Sequence, residues 1–509
     1  MAAPLILAVD QGTSATKCLA VDEAGAVIAK GHAPLSESRP RPGWVEQDAA
    51  ALWQSVVAAV RDCLAERGGA DVVAIGIANQ RESMLLWDGS TGRPLSPVIS
   101  WQDQRTVDLC DKLRSPDADK LVQSRSGLPL DPMFSALKAR WLLDTYDPDR
   151  ARSRAGQVRL GTIDSWLLHR ASGGQDRAHV IEVGNASRTQ LLNIAEADWD
   201  DSLLGFFDVP ASALPRIVPS VGPFPSVRGL APVADGTPIA AVMGDSHAAL
   251  FAHGAFEPGP VKATYGTGSS VMGLVEKPDA VADGLCLTIA WSINQPAYAA
   301  EANIRSAGAT LRWTADLLGV TTDELVALAE GADSQGVCLV PAFNGMGAPW
   351  WDQRANGTLC GLTLGAGRPQ VARAAFESIP HQVADVIDAF DRSIGRVSVL
   401  HADGGPTRND ALMQLQADLL DRPVHCTDAA ELSALGAAHL AGLSVGLWTL
   451  ESLKSFDRGG RVFQPAMSAF DRATHRARWL TAIQQVLDEP ATPAPAPTRD
   501  IPTTARCVR

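Results

Sequence analysis

Asp10-Gln11-Gly12-Thr13-Ser14-Ala15-Thr16-Lys17 follows the apolar run Leu5-Ile6-Leu7-Ala8-Val9 and precedes Cys18-Leu19-Ala20-Val21. The pattern predicts a strand, a tight polar turn and a second strand. Gly, Thr and Ser in such a turn offer backbone N–H groups and hydroxyls, with no bulk to keep an anion away. An acid placed like Asp10, at the end of the first strand, can hold Mg²⁺ through water. Lys17 adds a point charge. The stretch therefore predicts a hairpin for phosphate and metal, with Thr13 and Ser14 at its tip. It is not the G-x-x-x-x-G-K-[ST] loop that opens a helix. Taken alone, it also fits an ordinary β-hairpin.

A second loop of the same kind follows. Val261-Lys262-Ala263-Thr264-Tyr265-Gly266-Thr267-Gly268-Ser269-Ser270 is again a strand closing on a Gly-Thr-Gly-Ser-Ser turn. A third Gly-rich turn lies at Leu400-His401-Ala402-Asp403-Gly404-Gly405-Pro406-Thr407-Arg408-Asn409. Two phosphate hairpins, one per half, predict a duplicated domain closing over one nucleotide. The third turn is then a shelf for adenine and ribose.

At 509 residues the chain is long enough for two or more domains. Its net charge of −13 argues against a nucleic-acid-binding face, but a local Lys or Arg can still dominate a small anion site. The cysteines at 18, 63, 110, 286, 338, 360, 426 and 507 form no C-x-x-C pair, so neither a zinc site nor a thioredoxin-like motif is expected. The N-terminus shows no signal-peptide pattern, and no apolar run is long enough to span a membrane. A reducing cytoplasm is the expected setting.

Ala26-Val27-Ile28-Ala29 reads as a third strand. Asp48 reads as the cap of a helix from Ala49 to Arg67. Val72 to Ile77 is a buried strand ending at the polar cluster Asn79-Gln80-Arg81-Glu82. Arg105 to Arg114 and Ser135 to Tyr146 read as helices, and Pro238 to Val242 as a strand delivering Gly244-Asp245. The second half predicts strands near 261–273, 285–300 and 397–401. Its helices are expected near 306–318, 370–392, 409–420 and 431–446. Domains are expected over 1–252 and 253–488, with a disordered Pro/Ala/Thr-rich tail over 489–509.

These loops, in this order, resemble the actin-like, ribonuclease H-like ATPase fold. Met133-Phe134-Ser135-Ala136-Leu137-Lys138-Ala139-Arg140-Trp141-Leu142 resembles the first signature of the FGGY carbohydrate kinases. Gly357-Thr358-Leu359-Cys360-Gly361-Leu362, continuing to Phe376-Glu377, resembles the second. Further segments are most similar to the glycerol kinase branch of that family: Pro42 to Asp48, Asn79 to Glu82, Gly161 to Leu167, Asn185 to Thr189 and Pro341 to Pro349. The resemblance spans nearly the whole chain. It implies an α/β fold of two duplicated domains with a cleft between them. It also implies ATP and Mg²⁺, a small polyol or sugar as acceptor, and a homo-oligomer (dimer or tetramer). Two alternatives are a pentulose kinase and an actin- or chaperone-like ATPase binding a protein partner. Arg81-Glu82 stands where xylulokinases usually carry Met-His.

Phosphoryl transfer needs charge neutralisation on the phosphates, an in-line nucleophile and a group to take its proton. The resemblance implies that Asp245 is the catalytic base, that Asp10 binds the metal, and that Arg81 and Glu82 hold acceptor hydroxyls. Asp245 also reads as a helix cap and Arg81-Glu82 as a surface ion pair. Trp101 reads either as a pocket wall or as core. Thr13, Ser14, Lys17, Gly266 and Thr267 match phosphate-loop positions. Gly308, Arg312, Gly405 and Asn409 match the nucleotide shelf, with Arg312 replacing the usual Gln; Gly308 also reads as a packing glycine. His247 and His253 match no metal pattern. Met133, Ser246 and Ser270 stand where the glycerol-specific members carry Tyr, Gln and Phe. The acceptor pocket is therefore expected to be roomier and more polar, suited to glycerol or to a longer polyol or ketose.

Overall fold

The computed structural model describes residues 4–66, 69, 71–173, 178–281 and 283–487. The expected tail, Cys507 and Arg67 lie outside the described residues. Five strands build the first sheet: β1 (Leu5–Gln11), β2 (Ala15–Val21), β3 (Val27–Pro34), β4 (Val72–Asn79) and β5 (Ile239–Gly244). Their order is β5-β4-β1-β2-β3. β1 runs antiparallel to β2 and parallel to β4, β4 runs parallel to β5, and β2 runs antiparallel to β3.

The second sheet contains β6 (Pro260–Tyr265), β7 (Ser269–Leu274), β8 (Cys286–Ser292), β9 (Pro296–Ile304), β10 (Val399–Gly404), β11 (Val424–Cys426) and β12 (Arg461–Phe463). Its order is β8-β9-β7-β6-β10-β11-β12. Without the edge strands β8 and β12, this is the first sheet again. β6-β7 is an antiparallel hairpin, β9 pairs antiparallel with β7, and β10 and β11 add in parallel. The duplication read from two Gly-rich turns is thus a duplication of strand order and direction.

Continuous apolar runs such as Leu5–Ala8 are buried because both faces of each sheet are covered. The helix Ala49–Cys63 packs on one face of the first sheet. Asp48 caps it by accepting from Ala51 N at 2.7 Å, and it ends at Cys63, short of the expected Arg67. The opposite face receives two helices, Asp245–Ala252 and Leu432–Ser444, which also contact β7, β8 and β9. Leu432–Ser444 comes late in the chain, yet it packs on the first sheet. Small residues permit this: a Cβ on Gly436 would lie 1.8 Å from Ala248 O, and one on Gly76 would lie 2.2 Å from Ala437 O. The two halves therefore share one apolar core at their junction. The helices Gly308–Leu318, Arg368–Ile394 and Asp410–Leu420 cover the outer face of the second sheet.

The helix expected from Arg105 begins at Val107. Asp103 accepts from Arg105 N at 2.9 Å, making a turn, and the Arg105 guanidinium lies between the rings of Trp44 and Trp141. Helices at Pro116–Ser126, Thr322–Glu330 and Ala469–Leu487 were not expected. Among the described residues, no helix is long and apolar enough to cross a membrane.

Candidate active site

The first hairpin rests on a buried layer of amides. Gln80 Nε2 donates to Gln11 Oε1 and to Gln47 Oε1, each at 3.1 Å. Gln47 Nε2 donates to Thr13 O at 2.6 Å. Ser83 Oγ donates to Gln80 Oε1 at 2.8 Å and accepts from Trp101 N at 3.0 Å. Trp101 Nε1 in turn donates to Thr13 Oγ1 at 3.1 Å. The hairpin tip, the end of β4 and Trp101 are therefore one hydrogen-bonded unit. Trp101 is 36% exposed, so it is not a core residue.

β4 ends at Asn79, and Glu82 takes a left-handed conformation with φ 62°. Strand alternation has stopped there, so Arg81 and Glu82 need not face opposite sides. Both are buried, which removes the surface ion pair as a reading. Arg81 grips Glu301 of β9 with two bonds, at 2.6 and 2.9 Å. Arg188 donates from Nε to Glu82 Oε1 at 2.7 Å and pairs through Nη1 with Glu301 at 2.8 Å. Arg81 Nε, a buried donor with no hydrogen bond, faces Asp245 Oδ1 at 3.3 Å. Arg188 Nη2 is likewise a buried donor without a bond. The chain of charges runs Asp245, Arg81, Glu301, Arg188, Glu82, alternating in sign, and Glu301 alone comes from the second sheet. Burial pushes Glu301 up, but Arg188 and Arg81 outweigh it and hold the carboxyl well below the usual range. Gly244 makes room for this arrangement, since a Cβ there would lie 2.5 Å from Arg81 Cδ.

Asp245 opens the helix Asp245–Ala252 but does not cap it. The cap position is Gly244, and among the described residues the Asp245 carboxylate accepts a hydrogen bond only from the adjacent Ser246 N, at 2.6 Å. Burial raises its pKa, Arg81 opposes the rise, and Glu82 adds to it. Asp10 is pushed up to about 7 by burial, then by Asp245 and Glu431, against the pull of Lys17. Lys17 is not a free charge here: its Nζ pairs with Glu431 Oε2 at 2.5 Å. His247 and His253 take structural positions. His247 Nε2 lies 3.3 Å from Thr288 Oγ1, and His253 Nε2 lies 3.0 Å from Asp403 Oδ2.

At the second hairpin, Gly266 and Thr267 are exposed, as is Ser14 on the first. The start of the helix Gly308–Leu318 closes on this turn, with Gly308 N donating to Gly266 O at 3.0 Å and Ala309 N to Thr267 O at 3.0 Å. A Cβ on Gly308 would lie 2.6 Å from Gly266 O, so close packing accounts for this glycine. Arg312 reaches Thr267 Oγ1 at 3.2 Å. On the third turn, a Cβ on Gly405 would meet nothing within 4 Å, which leaves its backbone open to a ligand. Asn409 is occupied differently from expectation: its side chain caps the helix Asp410–Leu420 at Leu412 N and donates to Glu330, each at 2.7 Å.

Ser246 and Ser270, 24 residues apart, meet across the junction with their hydroxyls 3.2 Å apart. Met133 contacts the small cluster of Leu128, Phe134 and Cys286, and the Phe134 ring lies under Arg188. Arg188, Lys262, Glu301 and Glu431 were missed as site residues. Two of them carried a signal: Glu301 and Lys262 are lone charges inside strands that otherwise read as apolar.

Family models for the N-terminal and C-terminal domains of the FGGY family of carbohydrate kinases match residues 5–252 and 261–445. An apulose kinase from Pectobacterium atrosepticum is 42% identical over 489 residues, covering 95% of this chain and 98% of its own. A glycerol kinase from Aromatoleum aromaticum is 44% identical over 493 residues, covering 94% and 98%. The crystal structure of Plasmodium falciparum glycerol kinase with ADP superposes with a TM-score of 0.89 at 29% identity, covering 96% of this chain and 99% of that one. With both domain models matched in order and relatives similar over nearly their full length, the chain belongs to the FGGY family of carbohydrate kinases, phosphotransferases with an alcohol group as acceptor.

Proposed function

We propose that this chain transfers the γ-phosphoryl group of ATP, with Mg²⁺, to a hydroxyl of a polyol or ketose somewhat larger than glycerol. The observation that carries this reading is the placement of Asp245. Its carboxylate is free of any capping duty, stands 3.3 Å from a buried Arg81 donor, and lies where the two hairpin domains meet. In the reaction Asp245 takes the proton of the attacking hydroxyl as its oxygen bonds to the γ-phosphorus, while the bond from that phosphorus to the β,γ-bridging oxygen breaks and ADP leaves. Arg81 favours the ionised carboxylate against burial. Arg81 Nε is turned to Asp245, and Arg188 Nη2 is a buried donor without a hydrogen bond. Thr13, Ser14 and Thr267 offer N–H and O–H groups to the phosphates, whereas the Gly266 N–H is spent within its own turn on Gly268 O at 2.8 Å; the open backbone at Gly405 fits the nucleoside.

The donor set fits a divalent cation. Asp10 lies within electrostatic range of two further carboxylates, Asp245 and Glu431, and is opposed by Lys17. Mg²⁺, when bound, supplies charge neutralisation on the transferring phosphates. Among the described residues no three His, Cys, Asp or Glu side chains form a metal-holding group, so Asp10 would act largely through metal-bound water. Cation binding then requires Asp10 to lose its proton. With its pKa near 7, apparent Mg²⁺ affinity should weaken by up to tenfold per pH unit below about 7 and level off above it. Mg²⁺ titrations of turnover at pH 5.5 to 8.5 measure this. A pH-independent affinity would remove Asp10 from the metal site.

The acceptor follows from Met133, Ser246 and Ser270. Each is smaller or less rigid than the Tyr, Gln or Phe of glycerol-specific members. A loosely held acceptor loses near-attack geometry. A four- or five-carbon polyol or ketose should therefore show a higher kcat/KM than glycerol. The triple change Met133→Tyr, Ser246→Gln, Ser270→Phe should swing the ratio toward glycerol by about tenfold or more, as one or two contacts commonly do. A native preference for glycerol by a wide margin would make this an ordinary glycerol kinase.

A further inference from the structure

Lys262 on β6 is fully buried. Its Nζ donates to Thr264 Oγ1 at 3.0 Å and to Ser246 Oγ at 3.4 Å. Among the described residues, no carboxylate lies within 4 Å of it; burial lowers its pKa, Asp403, Glu301 and Asp245 support the charge only from longer range, and Arg81 opposes them. An ammonium has three donors and accepts nothing, so its surroundings must receive its bonds. Thr264 does so and donates its own O–H to Asp403 Oδ2 at 3.1 Å. That branch ends inside the protein.

The other branch ends at the acceptor pocket. Ser246 receives from Lys262 and lies 3.2 Å from Ser270 Oγ. Two hydroxyls have two protons between them, and their mutual bond uses one. The second is left for a partner outside the pair. Both serines are partly exposed, while Lys262 is sealed behind them. The pocket thus presents an O–H donor backed by a buried positive charge, where glycerol-specific members present an amide and a ring.

We propose that Lys262, acting through Ser246 and Ser270, selects an acceptor carrying at this point an oxygen that only accepts hydrogen bonds, such as the carbonyl of a ketose, over the polyol of the same length. The inference rests on the pocket assigned above. A carboxylate of a sugar acid offers the same chemistry, so the assay includes both.

The test compares kcat/KM at saturating Mg-ATP for a linear ketopentose, the matching pentitol and the matching five-carbon sugar acid. The ketose or the acid should exceed the pentitol by about tenfold, the effect of one well-made hydrogen bond. Lys262→Met keeps the length of the side chain and removes the charge. It should bring that ratio close to one, whereas a merely structural loss would lower all three acceptors alike. Ser270→Ala guards against a Lys262→Met protein that fails to fold. It should lower the same ratio, mainly by raising KM for the carbonyl or carboxylate acceptor. A native enzyme that prefers the pentitol overturns the proposal, as does an unchanged ratio in the variants that fold. If none of the three and no glycerol is phosphorylated, it is the kinase reading that fails, a result distinct from a wrong ratio.

Discussion

Asp245→Asn should lower kcat by about 10²–10⁴-fold while leaving nucleotide binding in place. The substitution is nearly isosteric, so the helix that starts at residue 245 keeps its shape. Asn can still accept from Ser246 N, as the carboxylate does. What it cannot do is take a proton. The loss should therefore fall on the chemical step and appear in single-turnover kinetics. Equilibrium binding of ATP should change little, because the phosphate hairpins and the third turn are untouched. The native pH profile gives a second check. A base must be ionised to act, and burial raises the pKa of Asp245 above the ordinary carboxylate value while Arg81 opposes the rise. Turnover should therefore rise with pH through an acid limb displaced upward from that of a free carboxylate, and the limb should vanish in Asp245→Asn. A variant with native turnover would remove Asp245 from the role of base.

The hairpins were legible because their chemistry is local. Gly12 and Gly266 sit in short polar turns between strands rich in buried apolar residues, and backbone pairing alone sets Asp10 opposite Lys17 and Thr264 opposite Ser270. Sequence also carried the helix Ser135–Tyr146, found at the expected residues, and Asp48 as a cap. The partners of the charges were not legible. Arg81 meets Glu301 after 220 residues, Arg188 meets Glu82 after 106, and Lys17 meets Glu431 after 414. No periodicity encodes such distances. They arise from the topology, which lays the helix Leu432–Ser444 on the first sheet and sets β9 against the end of β4. Lys17 and Asn409 show the same gap from the other side. Their positions in phosphate- and nucleotide-loop patterns are clear, but Glu431 and Glu330, which occupy their side chains, lie far along the chain. The helix Ala469–Leu487 was missed for a plainer reason: its exposed polar residues leave only Trp479, Ala482, Ile483 and Val486 to mark a buried face.

Glu301→Gln should cost about 3–5 kcal/mol of stability, the usual effect of breaking a buried ion pair by removing one partner. Glu301 is wholly buried and serves two guanidiniums at once. Gln matches its shape, so the loss is one of charge and not of volume. Arg81 and Arg188 would then be left with Asp245 and Glu82 as their nearest counter-charges. Because Arg81, Arg188 and Glu82 come from the first half of the chain and Glu301 from the second, the lost energy weakens the junction between the two domains. Denaturant unfolding with and without nucleotide measures it. The same change should act on catalysis with a definite sign. Glu301 now absorbs much of the Arg81 charge. Once it is neutral, that charge bears more fully on Asp245, whose pKa falls. The acid limb of kcat should move to lower pH, and the plateau should drop because a weaker base takes the proton less readily. A simple packing defect would lower the plateau without moving the limb. Unchanged stability together with an unmoved limb would mean that Glu301 neither joins the domains nor tunes the base.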